Sequence, residues 1–108
     1  MKIQDKVGIV TGAASGIGRA TTLELVTQGV KGIALVDLSE TAVVELAQQI
    51  NESAGRELAL AFAGDVTDAE FRARVFDETS HHHGIIQIMV PSAGIFRDRL
   101  AVKVEPDT

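Results

Sequence analysis

Thr11-Gly12-Ala13-Ala14-Ser15-Gly16-Ile17-Gly18 places three glycines where an apolar run gives way to a helical pattern. Upstream, Val7-Gly8-Ile9-Val10-Thr11 is short, continuous and rich in β-branched residues, as befits a strand buried on both faces of a parallel sheet. Downstream, Ile17, Ala20, Leu23 and Val26 recur every third residue, which predicts a helix buried along that stripe and ended by Gly29. The glycines therefore join a strand to a helix.

A strand-to-helix turn of this kind suits a pyrophosphate. The first N–H groups of a helix lack intrahelical partners and carry partial positive charge, and side chains in front of them would only obstruct an anion. Gly12 permits the tight departure from the strand, Gly16 lets the main chain approach phosphate, and Gly18 lets the helix lie against the strand. The spacing is G-x-x-x-G-x-G, not the commoner G-x-G-x-x-G. Taken alone, three glycines also make an ordinary turn.

T-G-x-x-x-G-x-G near the N-terminus resembles the cofactor motif of the short-chain dehydrogenase/reductase family, and the similarity extends along the chain. The resemblance implies an α/β fold: a Rossmann-like doubly wound parallel sheet of strand order 3-2-1-4 with helices on both faces. It also implies a nicotinamide dinucleotide held by Gly12, Ser15, Gly16, Ile17 and Gly18.

The 108 residues make one small domain, 45% hydrophobic, with room for a modest core. A net charge of −5 argues against nucleic acid and anionic membrane surfaces, which reward clustered Lys and Arg; a small-molecule partner is expected. With no cysteine there is no disulfide framework, thiolate nucleophile or Cys-based zinc site. No signal-like or membrane-length apolar stretch stands out, so a cytoplasmic protein is expected.

A second strand, Gly32-Ile33-Ala34-Leu35-Val36, ends on Asp37, about twenty residues beyond the glycines, where this architecture places the acid that binds ribose. A carboxylate accepts from both ribose hydroxyls but repels a 2′-phosphate. Asp37 thus favours NAD over NADP, and Ser15, Leu38, Ser39 and Glu40 offer no cation for the phosphate. Asp37 and Leu38 join the cofactor contacts. Ser39 is expected to cap a second helix with Val43, Leu46, Ala47, Ile50 and Ala54 on its buried face, closed by Gly55.

Leu58, Leu60 and Phe62 alternate with Ala59, Ala61 and Ala63 in a third strand, the alanines allowing close packing on one side. It runs into Gly64-Asp65-Val66, and by the resemblance Asp65 meets the adenine amine and Val66 the ring face. Thr67-Asp68-Ala69-Glu70 reads as a capping box with Val66 and Phe71 as a hydrophobic staple, opening a third helix that runs to about Ser80. Adjacent histidines on a helix point about 100° apart, so His81-His82-His83 reads as a solvated helix end and no metal site is expected.

The fourth strand, Ile85-Ile86-Gln87-Ile88-Met89-Val90, leads into Pro91-Ser92-Ala93-Gly94. The family carries Asn-Asn-Ala-Gly here, so Ala93 and Gly94 match as contacts to the nicotinamide ribose. Pro91 and Ser92 depart, removing a main-chain donor and an amide side chain. Glu105-Pro106-Asp107-Thr108 reads as the start of another helix.

The family's catalysis rests on a Tyr-x-x-x-Lys pair, a serine and an asparagine beyond the fourth strand. This sequence contains no tyrosine and none of the four maps onto it, so no catalytic residue is assigned and the 108 residues alone are expected to be inactive. In the order 3-2-1-4 the fourth strand is an open apolar edge, which calls for further strands. Residues 1–108 thus read as the NAD(P)-binding N-terminal part of a longer NAD(H)-dependent dehydrogenase acting on an alcohol or carbonyl, a homo-oligomer at full length. The alternatives are a non-catalytic NAD(H)-binding or regulatory module, and a scaffold whose glycines serve packing alone.

Overall fold

The computed structural model describes residues 2–92. In chain order the elements are β1 (Val7–Thr11), α1 (Gly16–Thr27), β2 (Gly32–Asp37), α2 (Glu40–Ala54), β3 (Ala59–Ala63), α3 (Ala69–His83) and β4 (Ile86–Pro91). The four strands form a parallel sheet of order β3-β2-β1-β4, as expected.

Every residue of β1 is buried, as is all of β2 but Asp37, because helices cover both faces of the central strands. Val10, Ile33 and Leu35 pack with Leu25 of α1 and with Val43, Leu46, Ala47 and Ile50 of α2. Ile9, Ala34 and Val36 face the other way, onto Phe71 and Val75 of α3. Each such aliphatic side chain contributes roughly 1.5–3 kcal/mol when removed from water, which places the β1–β2 pair at the centre of the core among the described residues. The alanines of β3 lie on the α2 side, where they let that helix approach closely. α2 is capped as expected, with the Ser39 hydroxyl accepting from the Ala42 N–H and Gly55 left-handed after the last turn; Ala54 is exposed and not part of its buried face.

Three further local expectations need correction. The buried face of α1 is Gly18, Thr22 and Leu25, whereas Ile17 is 69% exposed and Leu23 39%. A stripe repeated every third residue drifts about 60° around the helix at each step, while i, i+4, i+7 stays on one face. Thr22 tolerates complete burial because its hydroxyl donates to the Gly18 carbonyl at 2.8 Å.

The α3 cap is Asp68, not Thr67. Asp68 accepts from the N–H groups of Glu70 and Phe71, while the Thr67 hydroxyl and N–H both donate to Asp65 at 2.7 and 2.9 Å. The nearby carboxylate thus takes the donor that the capping box would have used. Val66 and Phe71 still pack in one cluster.

The same helix also continues through all three histidines. His81 and His82 are exposed, as expected of a solvated end, but His83 is only 6% exposed. Its ring lies on Gly32 at the start of β2, where a methyl group would stand 2.2 Å from Cγ, and its Nε2 is buried without a partner. Burial, reinforced by nearby His82, Arg56 and, least, Lys31, holds its pKa below the usual histidine value, with Glu57 opposing.

Candidate functional site

Because the strands are parallel, the loops after β1, β2 and β3 emerge at one edge of the sheet, beside the switch in strand order between β1's two neighbours. The first is the glycine turn. Gly12 and Gly16 have φ of 66° and 51°, left-handed conformations that side chains resist. A Cβ on Gly16 would project into open space, so that position keeps clear the room in front of the helix. A Cβ on Gly18 would lie 1.9 Å from the Gly12 carbonyl oxygen; only hydrogen there lets α1 start against the end of β1.

Ser15 occupies the N-cap position of α1 but makes no side-chain capping bond, and no acidic residue lies in the first turn. The leading N–H groups therefore face outward in a field that favours an anion. This cradle fits a pyrophosphate through main-chain donors and the absence of obstructing side chains.

Asp37 ends β2 and is tied to the turn. Its Oδ2 accepts from the Ala14 N–H and its Oδ1 from the Ser39 N–H, each at 3.0 Å. The Ala13 N–H donates to the Val36 carbonyl at 3.0 Å, so main chain and side chain together dock the turn on β2. Each carboxylate oxygen keeps a lone pair for a further donor. Leu38, beside it, is 72% exposed.

At the end of β3, Asp65 is exposed and Val66 half-buried. The Thr67 N–H and hydroxyl that donate to Asp65 hold its carboxyl below the ordinary carboxylate range, so it is ionised at neutral pH. The Arg72 guanidinium donates to the Val66 carbonyl at 2.8 Å and braces the loop from α3. Gly12, Ser15, Gly16, Ile17, Gly18, Asp37, Leu38, Asp65 and Val66 all lie in or beside these three loops. Ala93 and Gly94 lie outside the described residues.

Two features escaped the sequence reading. One is the Ala14 N–H as partner of Asp37. The other is Ser92, whose hydroxyl and N–H both donate to the Thr11 carbonyl, at 2.5 and 3.2 Å, clamping the end of β4 to the end of β1. Ser92, one of the two residues that depart from the family pattern, thus ties the two strand ends together. Nothing local signals either bond, since the partners lie 23 and 81 residues apart.

The profile of the short chain dehydrogenase family matches residues 6–108. A D-threitol dehydrogenase from Mycolicibacterium smegmatis is 40% identical over 96 residues, covering 89% of this chain and 36% of that protein. Zerumbone synthase from Zingiber zerumbet is 38% identical over 101 residues, covering 93% of this chain and again 36% of the relative. The chain therefore spans little more than a third of the length of these relatives. Among solved structures, a short-chain dehydrogenase/reductase from Burkholderia phymatum in complex with NAD superposes with a TM-score of 0.74 at 25% identity, over 82% of this chain and 31% of that one. With the glycine turn, the strand order and the sequence agreeing, this chain belongs to the short-chain dehydrogenase family.

Proposed function

We propose that this chain holds NAD(H) for an oxidoreductase that moves hydride between the nicotinamide and the carbon of a small alcohol or carbonyl compound. The observation that carries the reading is the Asp37 carboxylate, bonded to Ala14 beside an uncapped helix start. In this reading the main chain of Gly12, Ser15, Gly16, Ile17 and Gly18 binds the pyrophosphate. Asp37 and Leu38 take the adenosine ribose, Asp65 and Val66 the adenine, and Ala93 and Gly94 the nicotinamide ribose. When bound, the dinucleotide supplies the hydride chemistry, and the protein supplies placement and charge. Asp37 favours NAD because a 2′-phosphate would meet its carboxylate.

We further propose that the chain is the N-terminal, cofactor-binding part of a longer cytoplasmic homo-oligomer whose remaining residues conduct the proton chemistry, with these residues alone inactive. Supporting this, β4 pairs only with β1 among the described residues, and on and beside it Met89 and Ile85 are 52% and 80% exposed. Such an edge invites further pairing. The missing tyrosine also supports a second reading, a non-catalytic NAD(H)-sensing module. A Tyr-x-x-x-Lys pair further along the gene product would decide for the enzyme.

Calorimetric titration of the chain with NADH and NADPH tests the cofactor reading. Heat is expected with NADH, with NADPH at least tenfold weaker. No heat with either would remove the cofactor role, and tighter NADPH binding would remove the role given to Asp37.

A further inference from the structure

At the sheet edge opposite β4, β3 forms the floor of a groove of about 770 Å³ between α2 and α3. One rung of this edge is occupied from within. The Ala59 N–H donates to Asn51 Oδ1 at 2.7 Å, and the Ala59 carbonyl accepts from Asn51 Nδ2 at 3.0 Å. Both main-chain groups of Ala59 thus point away from β2. The Leu58 carbonyl and the Gly64 N–H instead bond to Ile33 and Asp37 of β2. With a period of two along a strand, Ala61 and Ala63 also turn their N–H and C=O groups outward, and among the described residues no cap, loop or side chain reaches them. The α2 amide does for Ala59 what a neighbouring strand would do, and stops there.

The two walls differ. Val44 and Ala47 of α2 present apolar surface, while Asp77 and Glu78 of α3 present carboxylates; His81 and His82 also line the groove, His82 pairing with Glu57 at its end at 3.5 Å, and no lysine or arginine lines it. Arg74 of α3 lies over the Phe71 ring at 5.4 Å. A second copy is a poor occupant. Two β3 edges related by a two-fold axis would set acidic rim against acidic rim in a chain of net charge −5.

We propose that this groove takes an extended basic segment of a partner protein, which adds a strand to β3 at Ala61 and Ala63. Strand side chains alternate between faces, so the segment alternates apolar residues against Val44 and Ala47 with Lys or Arg against Asp77 and Glu78. The site lies at the sheet edge remote from β4 and does not depend on the cofactor reading.

The test is amide hydrogen exchange on the ¹⁵N-labelled chain with two blocked hexapeptides, one alternating Lys and Val, the other Glu and Val. The Lys-Val peptide is expected to slow exchange at Ala61 and Ala63 at least tenfold, and the Glu-Val peptide to leave it unchanged. The double variant Asp77→Lys, Glu78→Lys, with its fold checked by circular dichroism, is expected to bind the Lys-Val peptide at least tenfold more weakly. Equal binding of both peptides would overturn the proposal. So would Lys-Val binding that leaves Ala61 and Ala63 exchange untouched, or concentration-dependent protection of these amides without peptide, which would assign the edge to a second copy.

Discussion

Gly18 and Gly32 stand at opposite ends of the sheet, and neither has room for a methyl group. At the C-terminal end, a Cβ on Gly18 would collide with the Gly12 main chain; at the N-terminal end, a Cβ on Gly32 would enter the His83 ring. The first close approach leaves the start of α1 uncapped and facing outward. The second is sealed by an imidazole that is 6% exposed. One sheet therefore has an end that leaves polar groups free for a ligand and an end that buries one to close the core.

The largest effect that would break this comparison is at Gly18. Its neighbour is main chain, which cannot rotate away, so Gly18→Ala is expected to cost ~3 kcal/mol or more and to abolish NADH binding. Urea denaturation and calorimetry read the two losses; a stable variant that still binds would show that α1 need not start so close to β1. Gly32→Ala meets a side chain that can shift, so its expected cost is smaller, about 2 kcal/mol. Adding His83→Ala to it should restore part of that loss, and strictly additive effects in the double-mutant cycle would deny the contact.

At the open end, Asp37→Asn replaces charged acceptors by a neutral amide. A loss of about 1.5 kcal/mol, roughly tenfold in NADH affinity, is expected, with NADPH weakened less, and unchanged selectivity would contradict the role given to this carboxylate. Gly16→Ala meets no atom but must hold a φ of 51°, for which about 1 kcal/mol of stability is expected in the same unfolding assay.

The closed end should also respond to acid. Burial lowers the pKa of His83 below 6.5, so as the pH falls through that value the unfolded chain takes up a proton that the folded chain refuses. Stability is complete above pH 6.5 and declines toward the folded-state pKa. The expected outcome is a urea midpoint that drops between neutral and mildly acidic pH, with a shallower drop in His83→Phe; equal slopes would place the ring in solvent.

How much of this was legible differs from residue to residue. The four strands follow from apolar runs alternating with helical patterns, their order from the resemblance to a doubly wound family, and the Ser39 and Gly55 caps were readable because both act within a few residues of themselves. The α1 face was misassigned because its buried residues include a glycine and a threonine, neither of which an apolar pattern marks. His83 was misassigned for a related reason: its partner, Gly32, lies across the sheet.

The site divides in the same way. The glycine spacing and the acid at the end of β2 marked a candidate dinucleotide turn resembling that of this family, because they encode local conformation and the chemistry of an uncovered helix start. Only the folded chain decides that Asp37 bonds to Ala14, that the Ser92 hydroxyl clamps the end of β1, that Asp65 rather than the α3 cap holds Thr67, and that one histidine of three is shut inside. Each of these is settled by what lies within reach across a loop or a strand, and distance in space is not written in the distance along the chain.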